Sequence, residues 1–225
     1  MVRTCLDVFS HGTEEQLYEI LPHVSILRSP LFLKPLLSLL KSGKVYQQEF
    51  AAVALGSVGD SQAIKPLTDV FMKSISAHRD DVRSLQASIV QSLGDIGNEQ
   101  AIQPLLRIYK LRVGSGRLSS CRQSWVLAAL GNLAQQGGMR AVRELTTCMR
   151  TESELLRAQA VAEMAMAFWH RPAEVPEEVL EDMYMMTADR SEGVRAAALS
   201  ALSDLAKLGV VETDRSLPPA PFSIS

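Results

Sequence analysis

Ala51–Asp69 reads A-A-V-A-L-G-S-V-G-D-S-Q-A-I-K-P-L-T-D, and its pattern returns further along the chain. Leu93–Leu105, L-G-D-I-G-N-E-Q-A-I-Q-P-L, has the glycine, the Gly-Asp or Gly-Asn turn, the Ala-Ile pair and the Pro-Leu pair in the same relative places. Self-similarity at a nearly fixed interval is typical of proteins built from stacked repeats. The two stretches therefore predict a repeat architecture.

The pattern also predicts that each repeat is a pair of helices. Gly59-Asp60 separates the two helices of one pair, because glycine accepts the left-handed conformation and the aspartate side chain caps the helix that follows. The predicted pairs are Tyr46–Val58 with Ser61–Ile75, Asp80–Ile96 with Glu99–Leu111, Cys121–Ala134 with Arg140–Arg150, and Glu154–Trp169 with Glu177–Ala188. A last helix is predicted over Glu192–Leu208.

The first 43 residues predict an atypical cap on this array. Thr13-Glu14-Glu15-Gln16 is a capping box, which predicts a helix running to about Leu21. A second helix is predicted from Pro30 to Leu40. We expect residues 1–208 to form one array, with the cap over residues 1–43 and the repeats over residues 44–208. Residues 209–225 include a proline-rich stretch and are expected to be disordered.

The composition favours helices over strands. Only 5% of the residues are aromatic, and no alternation of apolar and polar residues typical of strands is present at useful length. Trp125 and Trp169 fall at apolar positions of first helices, where we expect them to pack in the core. An all-α fold is therefore predicted.

A small residue recurs at one position of the aligned first helices. The five members of this register are Gly56, Gly94, Gly131, Ala165 and Ser203. Glycine inside a helix costs about 1 kcal/mol relative to alanine, so its recurrence needs a reason. We predict that a neighbouring helix approaches closely at this position.

These residues resemble the HEAT repeat, in the bacterial and cyanobacterial form called the phycobilisome-lyase HEAT-like repeat, whose pattern is V-R-x-A-A-x-A-L-G-x-I-G-D-x-x-A-I-x-P-L. Ala51–Leu67 and Gln91–Leu105 match this pattern well. The resemblance implies a right-handed α-solenoid (α-α superhelix) of about five HEAT-like helical pairs plus a C-terminal helix. Such arrays serve as adaptors, chaperones and enzyme scaffolds, so the fold alone does not fix the function.

Two kinds of HEAT-repeat protein offer more specific functions. Deoxyhypusine hydroxylase binds iron through His-Glu dipeptides, but none of the four histidines here is followed by glutamate, and that activity is not carried over. Phycobilin lyase subunits and phycobiliprotein chaperones resemble this chain in repeat type and size, although no set of residues identifies a bilin site. A phycobiliprotein is therefore kept as an alternative partner.

The charge distribution predicts a protein-binding surface. Residues 101–150 carry eight basic side chains and one acidic side chain, Glu144, whereas residues 151–225 carry thirteen acidic and six basic ones. In HEAT arrays the second helices line the concave face, and alignment of their apolar positions predicts which side chains face it. These are Lys65, Asp69, Met72, Gln103, Arg107, Lys110, Arg143, Thr147 and Arg150. We expect this face to bind an acidic protein surface or helix; the alternative is a solvated helix face with ordinary charges.

The stretch Arg112–Ser120 contains two glycines and predicts a longer loop between repeats. Arg112 and Arg117 in this loop could close over a carboxylate or phosphate, because a guanidinium group forms two parallel hydrogen bonds to either. The alternative is a tolerated insertion without a binding role.

Several function classes lack support in the sequence. No catalytic triad, metal-ligand spacing, phosphate-binding loop or cofactor motif is present, and the three cysteines, Cys5, Cys121 and Cys148, are expected to be reduced thiols. No apolar run is long enough for a transmembrane helix, and no secretory signal is evident, so a cytoplasmic location is predicted. A pI of about 6.1 disfavours general binding to nucleic acid. We therefore expect a protein without catalytic residues, metal or cofactor.

Overall fold

The structure is a computed structural model that describes residues 1–75, 81–111, 117–151 and 153–209, with only the backbone at residues 81 and 117–120. This part of the chain contains twelve α-helices and no strand. The helices of the first half are α1 Val2–His11, α2 Glu14–Leu27, α3 Leu33–Ser42, α4 Val45–Val58, α5 Ile64–Ser74, α6 Asp81–Asp95 and α7 Ile102–Tyr109. They are followed by α8 Arg117–Gln135, α9 Met139–Cys148, α10 Glu154–Phe168, α11 Glu177–Met186 and α12 Glu192–Lys207.

The all-α prediction is confirmed, and most helix ends fall close to their predicted positions. The N-terminal region differs, because the unpredicted helix α1 precedes α2, and α2 continues through Pro22 to Leu27. Helix α1 forms because its Phe9 is buried against Phe32 and Phe50, with ring centroids 5.5 and 5.7 Å away. An aromatic cluster therefore joins the cap to α4, a contact that the repeat pattern does not predict.

The turns within the repeats have the predicted geometry. Gly59 and Gly97 have φ values of 77° and 71°, in the left-handed region that favours glycine. The Asp60 carboxylate accepts a hydrogen bond from the Gln62 N–H at 2.8 Å, and Asn98 accepts an equivalent bond from Gln100 at 2.8 Å. Each of these caps begins a short 3-10 turn that leads into the second helix of the pair.

The chain divides into two compact units, residues 1–129 and residues 130–225, with the division inside α8. In the first unit, α4 packs against α2, α3 and α6, and α5 packs against α3 and α6. In the second unit, α10 packs against α9 and α12, and α11 packs against α12. Within each unit, helices thus contact their neighbours in chain order, as in an α-solenoid. The right-handed sense stays a prediction.

The small-residue register lies where first helices approach each other, as predicted, at Gly56 and Gly94. A Cβ atom built on Gly56 would lie 2.9 Å from the Ser92 Cα atom, and one on Gly94 would lie 2.8 Å from the Ala129 Cα atom. In the second unit, the space beside Gly131 is filled by the Glu163 side chain. Ser203 in the last helix is exposed. Real Cβ atoms do not come this close to backbone, so the spacing of the first helices depends on these glycines.

Two predictions about other positions are wrong. Trp169 is 41% exposed, because it follows the last residue of α10 at the surface, whereas Trp125 is half-buried in α8. The sequence predicts a loop over Arg117–Ser120, but these residues form the first turn of α8. Cys5 and Cys148 are buried and Cys121 is half-buried, and none of the three is in a disulfide. The predicted disordered tail, apart from Gly209, lies outside the described residues.

Candidate partner-binding surface

Helices α5 and α7 present the predicted rows of side chains to solvent. In α7, Ile102, Leu105 and Ile108 are buried and hold the helix against the core. Gln103 and Arg107 are consequently exposed on the opposite face, and Lys110, which directly follows α7, is exposed as well. In α5, Lys65 and Asp69 are exposed in the same way, whereas Met72 is half-buried.

The exposed residues Gln103, Arg107 and Lys110 line a shallow surface pocket of about 410 Å³. Its lining contains Arg107 and Lys110 together with the apolar residues Leu106 and Leu111. The side chains of Arg107 and Lys110 make no ion pair or hydrogen bond within the described ranges. Both cations are therefore available to a partner from solution.

Two of the predicted residues on α5, Lys65 and Asp69, form an ion pair with each other. The Lys65 Nζ atom lies 3.1 Å from the Asp69 Oδ2 atom, one helical turn away, and both side chains are more than half exposed. Such a pair is worth little in water, about 0.3–0.5 kcal/mol. It can open without much loss when a partner's carboxylate approaches Lys65.

Helix α9 in the second unit carries the remaining predicted residues. Ala141, Val142 and Leu145 are buried, and Arg143 and Thr147 are exposed. The Thr147 hydroxyl donates to the Arg143 carbonyl oxygen at 3.0 Å, so it is occupied within the helix. Exposure is thus as predicted, but Thr147 already has a partner for its proton.

Arg150 follows the end of α9 and already has an acidic partner. Its Nη2 atom lies 2.8 Å from the Asp182 Oδ1 atom on α11. The repeat alignment cannot show this contact, because it compares α9 with α5 and α7 and leaves α11 out. Among the predicted cations with described side chains, those without an ion pair in the described part of the chain are therefore Arg107, Lys110 and Arg143.

Among the other basic residues of this stretch, Arg140 in α9 is exposed, whereas Arg112, Arg117 and Arg122 add nothing to the described surface. Arg122 in α8 is only 7% exposed. Arg112 lies outside the described residues, and so does the side chain of Arg117, whose backbone begins α8. The rest of the predicted loop Arg112–Ser120, residues 112–116, lies outside the described ranges.

The second unit contains a buried ion pair that the sequence does not predict. The Arg157 Nε and Nη2 atoms donate to the two carboxylate oxygens of Asp189, each at 2.8 Å, and these side chains are 5% and 10% exposed. Asp189 also accepts from the Ser191 N–H at 2.8 Å. Burial raises the pKa of Asp189, but the hydrogen bonds from Arg157 and Ser191 and the charges of Arg157 and Arg190 outweigh it, so its pKa is lowered. The pair joins α10 to the turn before α12.

Glu163 is a second carboxylate that lies between helices of this unit, and it is half-buried. Its side chain lies over Gly131, with a hydrogen bond of 3.3 Å from the Gln159 side chain. Burial raises the pKa of Glu163, and the Gln159 hydrogen bond offsets only part of the increase. The repeat pattern identifies Gly131 as a close-packing position but does not reveal the carboxylate that fills it. The Asp189 and Glu163 carboxylates therefore both lie in contacts between helices of this unit, Asp189 with Arg157 of α10 and Glu163 with Gly131 of α8.

The described residues contain no group of three or more His, Cys, Asp or Glu side chains placed to hold a metal ion. No described helix has both the length and the apolar character needed to cross a membrane. These findings leave two candidate surfaces, the exposed faces of α5 and α7 in the first unit and the exposed face of α9 in the second.

Comparison with known proteins supports the repeat assignment. A search of curated proteins finds no significant match to the chain. The family model described as the PBS lyase HEAT-like repeat matches residues 85–110, which cover most of α6 and all of α7. The matched segment includes Gly94, the Gly97-Asn98 turn and the cations Arg107 and Lys110. Residues 85–110 are therefore similar to a PBS lyase HEAT-like repeat, and this segment includes the candidate cations Arg107 and Lys110.

Proposed function

We propose that this chain is a non-catalytic scaffold that binds an acidic surface or helix of a partner protein through the exposed faces of α5 and α7 in the first unit, with the exposed face of α9 in the second unit as a separate binding surface. The observation that carries this proposal is the pair of exposed cations at the C-terminal end of α7, Arg107 in its last turn and Lys110 directly after it, whose side chains have no ion pair in the described part of the chain. Exposed cations on a rigid helix attract acidic partners, whereas a cation that already has an ion pair is neutralised and attracts them less.

The apolar residues beside these cations support a protein partner over a nucleic acid. Leu106 and Leu111 line the same pocket as Arg107 and Lys110, and an acidic helix can cover both kinds of surface at once. Phosphate backbone would pair with the cations and leave the leucines uncovered. The sequence composition points the same way, since the chain has a net charge of −2.

Charge reversal tests this function. The triple variant Arg107→Glu, Lys110→Glu, Arg143→Glu removes the predicted surface cations that have no ion pair within the described residues, and the matched control Arg3→Glu, Lys34→Glu, Lys207→Glu makes the same change in net charge at other exposed sites. Affinity purification from the native host, with quantitative mass spectrometry, should show proteins that the wild type and the control retain and the triple variant loses. Equal retention by all three chains would refute the proposal.

A phycobilin lyase subunit or phycobiliprotein chaperone is the second candidate, favoured by the family model that matches residues 85–110. It differs from the first in requiring a chromophore-bearing partner. Co-expression with a bilin and an apo-phycobiliprotein should then produce the visible absorbance of a covalent adduct, or a higher yield of the holoprotein. Identical spectra with and without the chain would eliminate this candidate.

A further inference from the structure

A second, larger pocket lies in the first unit, where α3, α4, α5 and α6 meet. Its volume is about 500 Å³, within the range of about 300–1,000 Å³ that protein pockets for small ligands occupy. The floor includes Val70, Val82 and Leu85, which are buried, and Pro66 on the first turn of α5. The pocket therefore has a small apolar surface at its base, between the helices that line it.

Three lysines surround this apolar floor. Lys65 and Lys73 lie two helical turns apart on α5, and Lys41 lies at the end of α3. Asp69 is the one acidic residue among the described lining residues, and it pairs with Lys65. In the described part of the chain, the side chains of Lys41 and Lys73 make no ion pair or hydrogen bond. The lining thus has a net positive charge, and two of its cations are unpaired.

The polar groups inside the pocket are already satisfied by the protein. The Ser74 hydroxyl donates to the Phe71 carbonyl oxygen at 2.7 Å and accepts from the Gln86 side chain at 3.0 Å. The Gln48 amide donates to the Leu40 carbonyl oxygen at 3.0 Å. Recognition of a ligand is therefore left to the apolar floor and the lysine ammonium groups.

We infer that this pocket binds one apolar side chain of an acidic peptide segment, with the flanking carboxylates held by Lys41 and Lys73. Burying an apolar side chain on the floor supplies affinity, and the flexible lysines can reach carboxylates on either side of it. A phosphate group or nucleic acid would leave the floor uncovered, so the observations favour a peptide. The inference rests on the proposed protein-binding function and adds to it the chemical class of the bound segment.

The inference can be tested with the full-length chain and a synthetic peptide in which one leucine is flanked by aspartates. The dye-labelled peptide is titrated with protein and followed by fluorescence anisotropy, while backbone amide shifts of isotope-labelled protein locate the site. We expect binding that weakens with salt and shifts concentrated around Lys41, Val70 and Lys73. Replacing the leucine by serine, or the aspartates by lysines, should weaken binding.

Variants separate the pocket from general electrostatic attraction. Lys41→Glu with Lys73→Glu should reduce affinity by about tenfold or more, whereas the matched control Arg3→Glu with Lys34→Glu should leave it unchanged. Equal losses in both double variants, or no binding by the wild type, would overturn the inference. Shifts centred on α7 instead would overturn the pocket but support the proposed function. An oligonucleotide of equal charge that displaces the peptide would assign the pocket to phosphate and also overturn the inference.

Discussion

The two units use the same helix register but hold their first helices together differently. In the first unit, Gly56 faces Ser92 and Gly94 faces Ala129, and each contact joins small uncharged residues. In the second unit, a carboxylate, Glu163, fills the space at the equivalent glycine, and a buried arginine–aspartate pair joins α10 to the turn before α12. Equivalent positions of a repeat can therefore be packed by backbone proximity in one place and by charged side chains in another.

The two kinds of packing respond differently to pH. Contacts between small residues depend on shape and are insensitive to pH, whereas buried charges couple folding to protonation. Each unit contains one tryptophan, Trp125 in the first and Trp169 in the second, so single-tryptophan variants can report the two units separately. Four substitutions examine this contrast between the units.

The largest effect is expected from Arg157→Met, which leaves the Asp189 carboxylate buried without its cation. Removing one partner of a buried ion pair costs about 3–5 kcal/mol. Denaturant unfolding followed by Trp169 fluorescence should show this loss. The matched control Lys207→Met removes the cation of an exposed pair with Asp204 and should change the free energy of unfolding by less than about 1 kcal/mol.

The pH dependence of this loss follows from the pKa of Asp189. Because that pKa is lowered below its ordinary value of 3.8, the stabilisation by the pair is complete above this value and disappears as the pH falls through the folded-state pKa. The wild type and Arg157→Met should therefore converge at strongly acidic pH. A difference that stayed constant there would show that the pair acts through packing alone.

Gly94→Ala should have the next largest effect. The added Cβ atom would lie 2.8 Å from the Ala129 Cα atom, and backbone cannot rotate away, so the helices must separate at a cost of about 1–3 kcal/mol. Gly193→Ala in α12 is the control. Apart from adjacent residues and the backbone of its own helix, the heavy atom nearest to a Cβ atom built on Gly193 is the Ser191 Oγ atom, at 3.8 Å. Trp125 fluorescence should report destabilisation for Gly94→Ala, and Trp169 fluorescence should report none for Gly193→Ala.

Glu163→Gln should stabilise the second unit at neutral pH. Since burial raises the pKa of Glu163, ionisation of this residue is unfavourable in the folded state, and a neutral side chain of similar shape avoids that cost. We expect the Tm to rise by a few degrees at pH 7 and the gain to vanish at acidic pH, where glutamate is protonated. The matched control is Glu181→Gln on α11, an exposed position of the same unit, which should show neither effect.

The smallest effect is expected from Lys65→Ala in the first unit. Its ion pair with Asp69 is exposed, so the free energy of unfolding should fall by no more than about 0.5 kcal/mol. High salt should abolish even this difference. A loss above about 1 kcal/mol would mean that this exposed pair contributes more than a surface ion pair does, which would contradict the small effect expected here.

The sequence is sufficient to predict the helices and turns that recur in the repeats. The Gly59-Asp60 turn and the close approach at Gly94 follow from local propensity and period, which are properties of short segments. Helix α1 and the buried pair of the second unit do not, because they depend on contacts between residues distant in sequence. The same limit explains the site: exposure of Arg107 was predictable, whereas the Asp182 partner of Arg150 and the lysine-rimmed pocket were not.

Site-specific photo-crosslinking examines the partner-binding face of α7 in the cell. A photoreactive amino acid at Gln103, beside Arg107 and Lys110 on α7, is compared with one at Gln91, an exposed residue on α6. In cells that normally make the chain, we predict a discrete crosslinked protein from position 103 that disappears in the Arg107→Glu, Lys110→Glu background, and no equivalent product from position 91. Crosslinks of equal yield from both positions, or crosslinks at 103 that survive the charge reversal, would contradict a partner-binding face on α7.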